Sequence, residues 1–455
     1  MADYELPDNA IEKGTPAEQE VGEQENYFAT GKAAQHPYGV LYQGNWETPF
    51  DGLAVAVRKH ARALSLSGIP VVLKSFDNIV VSSEGIAEPA PAVGIPAEVK
   101  REIGKLNLTS VGSVFPVIKH LVVSDALRLS QVLMRGLTGP ADNSEFRIGA
   151  QQASSRSTIL YSVWERDRIH PDIALRLRTL GECWVPCEQN KKLLQDAGVE
   201  RVHVVPHPYR PEEDICKLTR RPPLGEGAPK RFYSIGAWQP RKGFARLLEA
   251  FLSIFGPKDN AYLTIKYSGG EWPGYVTPEE ALRTFVNGVG RQRGWRAENV
   301  ESRVTLIGKR IPRSRIVELH LRNNIYVCSS HGEAWCLPAF DAKLAGNRLV
   351  TIPYGGTEDF MTRDDIAVPY KMGDVHTSYN WEPGAQWAEY DTQELARALK
   401  IATAPSEFQR PPYEGTFSEA AVGRLMRERV IEFSKTAHPQ AAAYYEGRDA
   451  ASPGI

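Results

Sequence analysis

The sequence predicts an α/β fold of two doubly wound, Rossmann-like β/α domains facing a central cleft. Three observations predict it. The chain has 455 residues, more than one ordinary domain holds, so two domains is the starting expectation. Short apolar runs alternate with stretches whose apolar residues recur at helical spacing, first before residue 210 and again after residue 230. Between the two series lies RPEEDICKLTRRPPLGEGAPKR (210–231), rich in Pro, Gly and charge and without periodicity, which suits a linker.

The elements follow in order. Residues 1–37 are acidic, polar and poor in large apolar side chains, and read as a mobile tail. YGVLYQGNW is a first strand ending in Gly and Asn. GLAVAVRKHARALSLSG has helical spacing and a Gly stop, and IPVVLKSF is a buried strand. Strand, helix and strand in that order make a βαβ unit and imply a parallel sheet. SSEGIAEPAPAVGIPAE reads as a surface insertion. VFPVIKHLVVSD and STILYSVWE are further strands, and CWVPCEQNKKLLQDAGVERVHVVPHPY gives strand, helix, Gly and strand.

After the linker the rhythm restarts with RFYSIGAW, the amphipathic GFARLLEAFLSIFG and the strand AYLTIKYSGG. RVTLIGKR and NNIYVCSS are strands around the helix SRIVELHLR, and RLVTIPYGG is another strand. From Ser418 to Tyr445 the character is helical. The expected organisation is a tail over 1–37, an N-terminal domain over 38–212 and a linker over 213–230. A C-terminal domain follows over 231–415, then a helical segment over 416–455 that packs back on the N-terminal domain.

Composition excludes several classes. Hydrophobic residues are 42% and charged residues 24%, as in a globular protein with a full core. A net charge of -1 gives no overall footprint for nucleic acid or acidic membranes. Five cysteines argue against a disulfide framework and for a reducing compartment. Cys183 and Cys187 lack a second pair and a histidine cluster, so they read as packed thiols rather than a zinc site. No signal peptide is visible, and no apolar stretch reaches the roughly 18 residues of a membrane span. The expected location is the cytoplasm.

In doubly wound sheets, ligands bind outside the carboxyl ends of the strands. Several stretches fall there. GAWQPRKGF (236–244) carries Gly236, Arg241 and Lys242 before a helix, a site for a diphosphate, with a plain exposed basic turn as the alternative. HGEAWCLPAFD (331–341) sets Glu333 in a loop and Asp341 one turn into a helix that Pro338 helps to start. Two such carboxylates can hold sugar or ribose hydroxyls, or they are two unrelated acids. PYGGTEDF (353–360) has Gly355 and Gly356, for close backbone approach or positive φ, or for a simple turn. In the first half, Gly52 near a helix start can face a phosphate across the cleft. Glu165 and Arg168 in YSVWERDRIHP can orient an acceptor or form a solvated ion-pair cluster. His120 is a candidate base on the acceptor side, or a packed histidine.

Taken together and in this order, GAWQPRKGF with its following LLEAF, GEAWCLPAFDAKLAG and PYGGTED resemble the family 4 retaining glycosyltransferases of the GT-B fold. The resemblance runs from about residue 40 to about residue 435. It implies transfer of a sugar from a nucleoside-diphosphate sugar, UDP- or GDP-linked, with retention and without a required metal or cofactor. Arg241 and Lys242 would hold the diphosphate, Glu333 would face the sugar and Asp341 would bind the ribose. His331, Gly332, Trp335 and Leu337 would line the donor together with Gly52, Gly236, Gly355 and Gly356. Glu333, Arg241, Lys242 and Glu165 would form the catalytic set. The chain departs from the family pattern at four positions. Asp341 replaces the usual Glu, Ala334 and Cys336 replace glycines, and Glu165 ends the strand where the family carries a histidine. The acceptor stays open and includes a modified nucleobase in DNA. A GT-B module that only binds sugar or nucleotide, or serves as a scaffold, is the alternative to an enzyme. Oligomeric state is left open.

Overall fold

The structure is a computed structural model. It describes residues 36–48, 51–74, 81–82, 85–86, 111–122, 155–210, 214–216, 224–269, 274–375, 384–405 and 412–448. The acidic tail (to residue 35), most of the Pro/Ala/Gly-rich insertion and most of the linker lie outside these residues.

The first sheet holds β1 (His36–Gly44), β2 (Val71–Lys74), β5 (Val111–His120), β6 (Thr158–Tyr161), β7 (Glu182–Val185) and β8 (Val202–Val204). Its order is β2-β1-β5-β6-β7-β8, and every pair is parallel. β3 (Val81–Ser82) and β4 (Gly85–Ile86) form a separate short antiparallel pair. β1 begins two residues inside the stretch read from the sequence as tail.

The second sheet holds β9 (Lys230–Ala237), β10 (Ala261–Ser268), β11 (Val304–Ile307), β12 (Ile325–Cys328), β13 (Arg348–Thr351) and β14 (Ile366–Ala367). Its order, β11-β10-β9-β12-β13-β14, is the 3-2-1-4-5-6 order of dinucleotide-binding sheets. The order reverses between β9 and β12, which pair only over Ile325↔Phe232 and Tyr326↔Tyr233 before they diverge. The two loops that follow these strands therefore border the crevice where such sheets take their ligands. β15 (Lys371–Asp374) and β16 (Gln386–Glu389) add an antiparallel hairpin that the sequence reading did not anticipate.

Each lobe has its own core. Leu247, Leu248, Phe251, Leu263, Ile265, Ile325, Val350 and Leu399 fill the C-terminal one. Val40, Val57, Leu64, Ile118, Ile159 and Trp184 fill the N-terminal one. The core of the N-terminal lobe also takes Val422, Met426, Val430 and Tyr445 from the last two helices, Glu419–Ala437 and Pro439–Glu446. The long helix crosses Gly52–Leu66 so closely that a Cβ on Gly423 would lie 2.3 Å from the Ala63 carbonyl. Buried Glu419 fixes the crossing by pairing with Arg62 (3.1 Å) and Arg210 (2.8 Å). Ile215 and Cys216, near the start of the linker, pack against the C-terminal lobe beside Phe340 and Tyr326. No helix of the described residues is long and apolar enough to cross a membrane.

Candidate active site

Two loops build the site. After β9, the turn Pro240–Lys242 ends at Gly243, whose φ of +65° opens the helix Phe244–Ile254. A Cβ at Gly243 would lie 2.3 Å from both the Ser329 carbonyl and the Tyr390 hydroxyl, so only glycine fits. The backbone N–H of His331 donates to the Arg241 carbonyl at 2.7 Å, and Ser329 Oγ donates to the Lys242 carbonyl at 2.8 Å. These bonds tie the turn after β9 to the loop after β12.

The charges meet across this seam. Lys242 Nζ is ion-paired with Glu333 Oε1. Arg241 is buried. Its Nη1 donates to the Gly332 carbonyl at 2.6 Å and lies 3.3 Å from Glu333 Oε1. Its Nη2 reaches Glu165 Oε1 of the N-terminal lobe at 2.8 Å. Two cations and two carboxylates thus neutralise one another at the mouth of the crevice. Burial works to raise the Glu333 carboxyl, but Lys242 and Arg241 together outweigh it and hold it below the usual carboxylate range. Burial works to lower Lys242, and Glu333 outweighs it and holds the ammonium above its usual range. Glu165 moves the other way. Burial, reinforced by Glu333, raises it against the pull of Arg241, although 32% exposure of its side chain admits water and softens the effect.

Glycines set the spacing of the neighbouring backbone. A Cβ on Gly332 would lie 2.2 Å from the Glu165 carbonyl, so the two lobes touch there through backbone alone. Gly355 has φ +93°, and a Cβ on it would lie 2.0 Å from the Glu333 carbonyl. Gly356 would place a Cβ 2.1 Å from the Ala334 carbonyl, and its N–H donates to the Glu333 carbonyl at 2.8 Å. The double glycine is the cradle of the Glu333 loop. Gly236 lies behind the Lys242 stem, with 3.6 Å from a built Cβ to Lys242 Cδ. Gly52 faces Leu337 across the cleft, 3.7 Å from a built Cβ to Leu337 Cδ1.

Asp341 lies in the helix Leu337–Leu344, buried, with Oδ2 3.0 Å from Arg313 Nη1. Burial works to raise this carboxyl, and Arg313 and then Lys59 overcome it, leaving it below its usual range. Arg313 opens the helix after β11, and Lys59 belongs to the first helix of the N-terminal lobe. The sequence reading missed both. The basic run KRIPRSR and the adjacent pair Arg58–Lys59 were the available signals.

The side chains of the other expected site residues have partners of their own. The His331 ring stacks on Trp387 at 4.4 Å, and its Nδ1 donates to the Ala388 carbonyl at 2.8 Å. Burial and Arg246 lower its pKa to about 4, so the ring is neutral. Trp335 packs among Phe340, Phe360, Phe417 and His207. His120 is fully buried in the N-terminal lobe, hydrogen-bonded to Tyr42 at 2.9 Å, with His60 at 5.4 Å between ring centroids. Arg168 is half exposed and pairs with Asp167.

No protein-family model matches the chain, and no curated protein sequence matches it. Solved structures do. An E. coli trehalose-6-phosphate protein bound with UDP-2-fluoro glucose is similar at a TM-score of 0.50 and 11% identity, over 90% of this chain and 97% of its own. The fold is GT-B. Anabaena HepE in complex with UDP-glucose aligns at a TM-score of 0.46 and 13% identity, over 89% of this chain and 99% of its own. Sucrose-phosphate synthase from Thermosynechococcus elongatus aligns at a TM-score of 0.46 and 16% identity, over 90% and 98%. In GT-B terms, the Arg241–Lys242 turn and the Glu333 loop belong to the C-terminal lobe, and Glu165 belongs to the N-terminal lobe.

Proposed function

We propose that the chain is a glycosyltransferase that moves a sugar from a nucleoside-diphosphate sugar to an acceptor held by the N-terminal lobe. The proposed outcome is retention of anomeric configuration, without a metal. One observation carries the reading: Arg241, Lys242 and Glu333 converge on the two loops that border the strand-order reversal of the C-terminal sheet.

The chemistry follows from the charges. An arriving diphosphate draws Lys242 and Arg241 away from Glu333, because it offers more negative charge than one carboxylate. Negative charge on the departing diphosphate grows as the glycosidic bond breaks. Fixed cations then stabilise the transition state more than the bound donor. Glu333, released from Lys242, is free to accept hydrogen bonds from donor sugar hydroxyls. Asp341 takes the ribose once Arg313 yields part of the carboxylate. In the retaining course, a phosphate oxygen of the leaving group takes the proton of the acceptor hydroxyl. Glu165, anchored by Arg241, faces the same seam from the acceptor lobe. Arg241 and Lys242 supply the positive charge that a metal would otherwise bring to the diphosphate.

UDP-glucose is the first donor to test, since the E. coli neighbour was solved with UDP-2-fluoro glucose. Hydrolysis of UDP-glucose without acceptor, followed as UDP release, is expected from the wild type and not from Glu333→Gln. Equal rates from the two proteins would remove the catalytic reading. A thermal-shift panel of UDP-, GDP- and ADP-sugars then assigns the nucleotide, because a ligand that binds the native state raises its apparent stability.

A further inference from the structure

Cys328 ends β12, and Cys336 immediately precedes the helix Leu337–Leu344. Their sulfurs are 3.7 Å apart, both residues are buried, and neither is in a disulfide. Glu333 stands between them in sequence. The two sulfurs and a Glu333 carboxylate oxygen all lie within 4.8 Å of one another. Among the described residues, no other set of His, Cys, Asp and Glu brings three ligand atoms this close.

Two thiolates on one tetrahedral zinc at about 2.3 Å each stand about 3.8 Å apart, the edge of the tetrahedron. The Cys328–Cys336 separation already matches that edge. We propose that Cys328, Cys336 and Glu333 form a capture site for one soft, tetrahedral divalent cation such as Zn²⁺. A water or a further ligand takes the fourth position.

The charge balance permits such an exchange in a buried place. Two S–H bonds break, two metal–sulfur bonds form and two protons leave to solvent, so the net charge of the site is unchanged and no oxidant is needed. The cation also replaces the Lys242 ammonium as the partner of Glu333, and Lys242 retains an outlet to solvent. The Cys328 thiol donates a hydrogen bond to the Cys336 sulfur, so the two ligand atoms already face each other. Cys336 has φ +65°, the one non-glycine residue with positive φ among the described residues.

A cation on Glu333 blocks the contact assigned above to the donor sugar. That consequence rests on the proposed function, whereas metal binding itself does not.

The test is a Co²⁺ titration of the reduced full-length protein without donor, read by absorption. One equivalent is expected, with a thiolate-to-cobalt charge-transfer band and the visible bands of tetrahedral cobalt, and Zn²⁺ should displace it. Cys336→Gly and Cys328→Ser should each weaken cobalt binding at least tenfold, while Cys216→Ser leaves it unchanged. Cys336→Gly suits the positive φ and keeps the test valid where Cys328→Ser fails to fold. A wild type without the charge-transfer band, or a Cys336→Gly variant that keeps it, overturns the proposal. Inhibition of UDP-glucose turnover by Zn²⁺, reversed by a chelator, is then measured separately. Cobalt binding without inhibition leaves the metal site standing and counts against the role of Glu333 in turnover.

Discussion

The Arg241 guanidinium spans the two lobes, with Glu165 on one side at 2.8 Å and Glu333 on the other at 3.3 Å. A single buried cation therefore holds the closed seam of the cleft and stands in the crevice proposed for the donor. The two roles oppose each other, since a diphosphate that takes Arg241 also loosens its hold on Glu165. Donor binding should thus register in the mobility of the lobes as well as in the site. Hydrogen exchange of the Trp164–Arg166 backbone, compared with and without UDP, should report this as a change in protection. Identical exchange would separate the seam from the donor site.

Removing Glu333 should cost stability as well as activity. Glu333→Ala leaves Arg241 and Lys242 buried with less counter-charge, at a cost of about 3 kcal/mol or more. Glu333→Gln keeps the shape and hydrogen bonding and should cost less. Urea denaturation of both variants checks the order, and equal losses would contradict it.

The glycines divide by what surrounds them. Gly332→Ala and Gly356→Ala press a methyl into backbone carbonyls 2.2 and 2.1 Å away, and each should lose more than about 2 kcal/mol. Gly346 also has positive φ (+77°) but meets nothing within 4 Å of a built Cβ. Gly346→Ala should cost only the left-handed penalty of about 1–2 kcal/mol. Thermal denaturation of the three variants tests the ranking.

Acid should unfold the protein early. Burial, with help from Lys59, lowers His60 to about 4 even though its two ring nitrogens face the Ala56 and Pro206 carbonyls. His331 is also near 4. Both imidazoles titrate near 6.5 in the unfolded chain. Between pH 6.5 and 4 the unfolded state binds more protons, so stability falls as pH falls through that window. Each ring contributes up to roughly 3 kcal/mol to the loss. Glu333 and Asp341, both held low, extend the loss to lower pH. Denaturant midpoints at pH 7.5 and 5 measure it, and equal midpoints would contradict this assignment.

Asp341 should matter for nucleotide binding more than for turnover. Asp341→Asn is expected to raise the KM for UDP-glucose several-fold and leave kcat within about a factor of two, the mark of uniform binding. A fall in kcat with unchanged KM would place Asp341 in the chemistry.

Much of the fold was legible because both signals it needs are local. The apolar runs of β9 and β12 and the glycine and charge after each are written in consecutive residues, and the doubly wound pattern then sends both loops to one crevice. Gly355 and Gly356 were legible as backbone contacts for the same reason. What escaped depends on distant partners. His331 was read as lining the donor, but its ring is taken by Trp387 of a hairpin more than fifty residues later. Arg313 reaches Asp341 from the helix after β11, and no spacing in the sequence announces that pair. Cys328 and Cys336 are eight residues apart, a spacing that announces no pairing, and only the turn between them brings their sulfurs to 3.7 Å.

The measurement that tests the account most directly is the affinity of UDP for the wild type and for Lys242→Ala, by calorimetry at fixed salt. Lys242 is held by Glu333 in the structure and is assigned to the diphosphate when the donor arrives. Binding at least tenfold weaker is expected in Lys242→Ala, with the fold intact by circular dichroism. UDP that binds both proteins with one affinity would contradict it.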